Sequence, residues 1–146
     1  MPLEKSEVVS IVEKICQDDQ NELGSKITKL NKLGRELSEG PDSQLSQEKI
    51  RLVEEAIENL IGAKLRELDE IRERNLEEVN FDDIDLLKDG FALLFSLIEN
   101  ILEWNPTERH SVEGVINRAS LRAMMIDPRV SVKTKQEIMD NWEQYM

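Results

Sequence analysis

Asp82-Asp-Ile-Asp-Leu-Leu-Lys-Asp-Gly-Phe-Ala-Leu-Leu-Phe-Ser-Leu-Ile98 decides the fold class of this 146-residue chain. The stretch opens acidic and turns apolar around most of a helical circumference. At about 100° per residue, Ile84, Leu87, Phe91, Leu94, Phe95, Ile98 and Leu102 share one face. Leu86, Leu93 and Leu97 form a second ridge on roughly the opposite side. Asp82, Asp85, Asp89, Ser96, Glu99 and Glu103 fill the strip between them. Apolar surface on two sides predicts at least two neighbouring helical layers. A membrane span needs about 20 apolar residues. The unbroken run here is only Phe91 to Phe95, so no membrane location is expected.

Stop and start signals on either side outline the other helices. Asn80, with Asp83 three residues on, has the spacing of a capping box with Asp in place of the usual Glu, and opens a helix over about 81–104. Upstream, Ser46 caps a long helix over about 47–75, with the stripe Ile50, Val53, Ile57, Leu60, Ile61, Leu65, Leu68 and Ile71. Gly62 inside it predicts a close helix crossing. Ser38-Glu-Gly-Pro-Asp-Ser43 is a loop, since Gly-Pro cannot continue a helix. Before it lie helices over about 3–21, with Val8, Ile11, Val12 and Ile15 on one face, and about 26–38, with Ser25 as its N-cap. Downstream, Asn105-Pro106 with Glu108 in the first turn starts a fifth helix. Asp127-Pro128 stops it, and Ser131 opens a last helix through Ile138, Trp142 and Tyr145. No stretch alternates apolar and polar for the length of a strand. The expectation is an all-α bundle of about six helices in a single domain, residues 1–146. A long central antiparallel hairpin is formed by the third and fourth helices. A flexible loop lies near 38–46, and 105–146 form a C-terminal helical subregion.

The third helix also bears on assembly. Twenty-nine residues span roughly 43 Å, against a radius of gyration of about 15 Å for a compact domain of this size. Such a helix overhangs its own globule unless another chain, or a second copy, covers the end. Composition agrees with a folded chain: 39% of residues are hydrophobic, and the 4% that are aromatic favour a Leu/Ile core over a stacking surface. The N-terminus carries no apolar signal segment, and Cys16 is the sole cysteine, so a reducing, cytoplasmic compartment is expected.

Net charge is −12, and all of it falls on residues 1–104; residues 105–146 hold six acids and six bases. The acidic body repels nucleic acid and anionic membrane. The bases Arg109, Arg118, Arg122, Arg129, Lys133 and Lys135 leave two readings open, neutralisation of an acidic body or a local anionic contact.

The chemistry is sparse. Glu54, Glu55 and Glu58 on the third helix and Asp82, Asp85 and Asp89 on the fourth have the spacing that lets two antiparallel helices hold Mg²⁺. Glu55-Ala-Ile-Glu58 matches the Glu-x-x-Glu of the all-α nucleotide pyrophosphatases of the MazG type, which this part of the chain resembles. The resemblance implies a Mg²⁺ site at Glu55, Glu58, Asp82 and Asp85. The second half departs from the family's Glu-x-x-Asp, because Leu86 stands where Asp89 needs its Glu partner. Asp82, Asp85 and Asp89 also point away from the main apolar face, as first-turn acids favoured by the helix dipole do. Leu65-Arg-Glu-Leu-Asp-Glu-Ile-Arg72, followed by an acidic turn and another helix, resembles the helical domain of GINS replication subunits. That family's small β domain is not supplied by residues 105–146. Cys16 and His110 are the elements of a nucleophilic dyad, but Cys16 flanks an apolar face, where cysteine behaves as a small hydrophobe. One Cys and one His cannot furnish an intrachain Cys/His zinc site.

The C-terminal region offers a binding surface. Val112, Val115, Ile116, Ala119, Ala123 and Ile126 make a core stripe on the fifth helix. Leu121 and Met125 lie on its other side among Arg118, Arg122 and Arg129, and Trp142 and Tyr145 follow. Apolar and aromatic side chains beside Arg are the composition of interface cores. Alternatively, the last helix folds back and covers Leu121 and Met125 itself. The expected function is a non-catalytic helical protein–protein interaction module, a regulatory or scaffolding subunit without a cofactor. Its partner is another protein or a second copy. The partner-binding residues are Arg118, Leu121, Arg122, Met125, Trp142 and Tyr145. The alternative is the MazG-like Mg²⁺ enzyme.

Overall fold

Asparagine and serine side chains cap the starts of three helices. The structure, a computed structural model, describes residues 4–18, 22–39, 43–100 and 104–145. Among these residues there is no strand, and six α-helices follow one another. They are α1 (Lys5–Gln17), α2 (Leu23–Ser38), α3 (Ser43–Arg74), α4 (Phe81–Asn100), α5 (Pro106–Ile126) and α6 (Val132–Asp140), with a 3₁₀ turn at Trp142–Tyr145. At α4 the Asn80 Oδ1 accepts from the backbone N–H of Asp82 at 2.9 Å and of Asp83 at 3.4 Å. At α5 Asn105 Oδ1 accepts from Glu108 N at 3.2 Å, and at α6 Ser131 Oγ accepts from Thr134 N at 3.1 Å. These three caps sit where the sequence placed them.

Two other starts differ. Helix α2 begins at Leu23 behind Glu22, so Gly24 and Ser25 lie inside its first turn rather than before it. Helix α3 begins at Ser43, ahead of Ser46. Residues 19–21, 40–42 and 101–103 fall outside the described set, and with them part of the expected 38–46 loop, Leu102 and the far end of the expected fourth helix.

The chain divides into two compact units, Met1–Gly62 with Leu97–Arg109, and Ala63–Ser96 with His110–Met146. In the first, Val8 of α1, Ile27, Leu30, Leu33 and Leu37 of α2, Val53, Ile57 and Ile61 of α3, and Ile98 of α4 are buried. Ile11, Val12 and Ile15 are only half-buried. Gly34 presses on the indole of Trp104, where a Cβ would collide with the ring, and Trp104 Nε1 donates to Asn31 Oδ1. Gly62 has nothing within 4 Å of where a Cβ would sit, so no crossing explains it; the close approaches are at Gly34 and, in the second unit, Gly90.

The second unit is built on the main face of α4. Ile84, Leu87, Phe91 and Leu94 are buried with Leu68 and Ile71 of α3, Val112, Ile116 and Ala123 of α5, and Ile138 of α6. Each large side chain so removed from water contributes about 1.5–3 kcal/mol. Leu68 lies against Gly90, 2.5 Å from the position a Cβ would take, so a side chain there would push Leu68 out of the α3–α4 contact. Val115, expected in the core stripe, is exposed.

The turn between α3 and α4 is held by one side chain. Asn75 is 1% exposed. Its Nδ2 donates to Ile71 O at 2.7 Å and Asp83 Oδ2 at 3.0 Å, and its Oδ1 accepts from Asn80 N at 2.6 Å. Asp83 therefore does not reach back to Asn80 N as a capping box would; Asn75 takes that N–H and occupies Asp83.

Candidate interaction surface

Helix α4 carries two outer features within the second unit. The first is a row at i, i+4, i+7 and i+11: Asp82, Leu86, Asp89 and Leu93, all exposed. Leu86 is 54% exposed and Leu93 41%. The second neighbouring layer expected over this ridge is absent at these two leucines among the described residues. Leu97, the third member, is half-buried and belongs to the first unit, 3.6 Å from where a Cβ on Gly24 would lie.

The second feature is an apolar cleft of about 380 Å³ lined on α4 by Ile84, Leu87, Lys88, Phe91, Ala92 and Phe95, and on the other side by Ser120, Ala123 and Met124, with Asp127 and Val130 at its end. Asp127 closes α5. It is 2% exposed, and its Oδ1 accepts from Arg129 N at 2.9 Å and Arg129 Nε at 3.3 Å, while Lys88 Nζ stands 3.7 Å from Oδ2. Burial alone would raise the Asp127 carboxyl; the backbone N–H and guanidinium of Arg129, with Lys88, outweigh it and hold the group below its ordinary value. Arg129 Nη2 also reaches Asp85 Oδ1 at 3.0 Å, and its guanidinium lies 5.2 Å from the centre of the Phe81 ring. Asp85 is thus engaged in tying α4 to the α5–α6 turn.

The six residues expected to bind a partner all lie in the second unit. Arg122 is exposed, with its guanidinium 5.9 Å from the centre of the Trp142 ring. Arg118, Leu121, Met125 and Trp142 are half-buried. The backbone of Tyr145 is in the 3₁₀ turn, and its side chain lies outside the described set. The terminal segment therefore packs back onto Arg122 of α5. Of the basic residues considered for anion contact, Arg129 is held by two aspartates and Arg122 by an indole.

The carboxylates considered for Mg²⁺ are divided between the units, Glu55 and Glu58 in the first and Asp82 and Asp85 in the second. Glu55 pairs with Arg51 at 3.3 Å. Among the described residues no group of three or more His, Cys, Asp or Glu side chains is arranged to hold a metal ion. Cys16 is half-buried and its thiol is pushed up by that burial, with Lys26 opposing, which is the reverse of an activated thiolate. His110 is exposed.

A carboxyl pair that the sequence reading passed over joins α3 and α5 in the first unit. The Glu108 carboxyl faces Glu58, with its Oε1 buried and without a hydrogen-bond partner among the described residues, and Glu54 Oε1 accepts from Asn105 Nδ2. Burial, then the facing Glu58 carboxyl and the charge of Glu54, raise the Glu108 carboxyl to about 7; Arg51 opposes. A carboxyl raised on folding stabilises the fold fully below its unfolded value, about 4.3, and that contribution is lost as pH rises through about 7. Glu108→Gln keeps a neutral donor toward Glu58. The expected result is a melting temperature above wild type at pH 8 by a few degrees, a gap that closes by pH 5. A constant gap across that range would mean that Glu108 is ionised throughout.

No helix among the described residues is long and apolar enough to cross a membrane. No protein-family model, curated protein or solved structure matches this chain.

Proposed function

We propose that this chain is a non-catalytic helical protein–protein interaction module, a regulatory or scaffolding subunit. One observation carries the reading: Leu86 and Leu93 stand exposed on the helix whose opposite side forms the core of the second unit. Exposed leucines one by one are ordinary; two aligned on one helix row form a surface a partner helix can cover. In this reading α3 and α4 act as an antiparallel hairpin that presents the row, stiffened by Asn75 at its turn and by the Leu68–Gly90 contact. The lone Cys16 fits a reducing, cytoplasmic setting. Size-exclusion chromatography with light scattering tests it. Tagged chain drawn from its native host should elute in a complex heavier than its own 16.9 kDa. A bare monomer from the host that binds no hydrophobic dye would overturn the reading.

A further inference from the structure

The row Asp82–Leu86–Asp89–Leu93 has a charge as well as an apolar stripe, and the charge selects the occupant. Asp83 is engaged by Asn75 and Asp85 by Arg129. Asp82 and Asp89 have no ion-pair partner among the described residues. The only base of α4, Lys88, stands by Asp127 on another side of the helix. The row is therefore two leucines alternating with two unneutralised carboxylates, on a chain of net charge −12.

A second copy is the wrong cover for it. A two-fold pairing centred midway between Leu86 and Leu93 sets Asp89 of one copy against Asp89 of the other at the centre of the contact. Like charges so placed oppose association, and the net charge of each copy adds repulsion at a distance. A helix with the reverse pattern meets both requirements. Its leucines or other large aliphatics fill the space beside Leu86 and Leu93, and its Lys or Arg side chains at three- and four-residue spacing reach Asp82 and Asp89. From Asp82 to Leu93 the row rises about 16 Å, the length of three helical turns.

We propose that the α4 row of Asp82, Leu86, Asp89 and Leu93 docks a basic amphipathic helix from a different protein. This rests on the interaction reading above and names the face and the partner chemistry. The probe is a fluorescein-labelled Leu/Lys helical peptide of about 18 residues, five turns, with its leucines on one strip. A scrambled peptide of the same composition is the control for charge alone. Fluorescence anisotropy on the full chain should show binding that falls about tenfold or more for the Leu86→Asn/Leu93→Asn double variant and for the scrambled peptide. Asp82→Asn/Asp89→Asn should weaken it less and flatten its salt dependence. All four positions are exposed, so far-UV circular dichroism should show these variants folded as wild type.

Binding equal in wild type and Leu86→Asn/Leu93→Asn would overturn the proposal, because general attraction to an acidic surface would then explain it. A concentration-dependent dimer abolished by the same double variant would also overturn it, by making the occupant a second copy. Host complexes that survive Leu86→Asn/Leu93→Asn would move the interface elsewhere while the interaction reading stood. Absence of any host complex would instead remove that reading itself.

Discussion

Replacing Asn75 by Ala should cost about 2–4 kcal/mol of stability, the largest single effect expected in the chain. The side chain uses both amide hydrogens and its carbonyl oxygen, and is 1% exposed. Alanine leaves Asn80 N, Ile71 O and Asp83 Oδ2 without that buried partner, and losing a buried partner costs more than a hydrogen bond contributes net. Asn75→Asp separates the parts of this argument. It keeps an acceptor for Asn80 N, but loses both donors and sets a carboxylate beside Asp83. It should be no better than Ala at neutral pH. Urea denaturation followed by circular dichroism measures both. The loss belongs to the second unit, so a biphasic transition should move in one phase only. A change under about 0.5 kcal/mol, typical of ordinary surface sites, would mean that the turn holds itself by backbone bonds alone.

Asp127→Ala is next, at about 2–3 kcal/mol. The carboxylate is buried, receives the Arg129 N–H that turns the chain out of α5, and neutralises Arg129 and Lys88. Without it the one carboxylate left to Arg129 is Asp85, which is mostly exposed and screened by water. Asp127→Asn should lie between alanine and wild type, since its amide oxygen can still accept from Arg129 N. The pH dependence has the opposite sign to that of Glu108. A carboxyl lowered on folding stabilises above its unfolded value, about 3.9, and that share disappears as pH falls through the lower folded value. Wild type should therefore lose stability in acid more steeply than Asp127→Asn. Parallel acid limbs would show that Asp127 draws nothing from its charge.

What the sequence discloses about this fold is chiefly local. The main face of α4 is buried at Ile84, Leu87, Phe91, Leu94 and Ile98, because helical spacing alone puts those residues together. Asn80, Asn105 and Ser131 cap where they were expected to, since an N-cap bond spans only three residues. Contacts distant in sequence are another matter. Periodicity assigns Gly62 and Gly34 alike to helices and does not say what faces them; Trp104 meets Gly34, and nothing meets Gly62. Asn75 looked like a last helical residue, and its bond to Asn80 depends on a turn geometry that no motif encodes. Glu108 was legible as a first-turn acid, but its pairing with Glu58 joins residues fifty apart.

The candidate surface divides the same way. Leu86 and Leu93 were recognisable as a second apolar ridge, and hydrophobic pattern states that a face needs cover without saying whether the cover lies in the same chain. The half-buried Leu121, Met125 and Trp142 were recognisable as apolar. The Arg122–Trp142 contact brings the terminal segment to α5.

A photo-crosslinking residue at position 93, in chain expressed in its native host, tests the α4 row most directly. A crosslink to one different protein is expected, at a segment with alternating aliphatic and basic helical spacing, and none from the same residue at exposed Gln136 of α6. Crosslinks only between two copies of this chain, or equal yields from both positions, would contradict it.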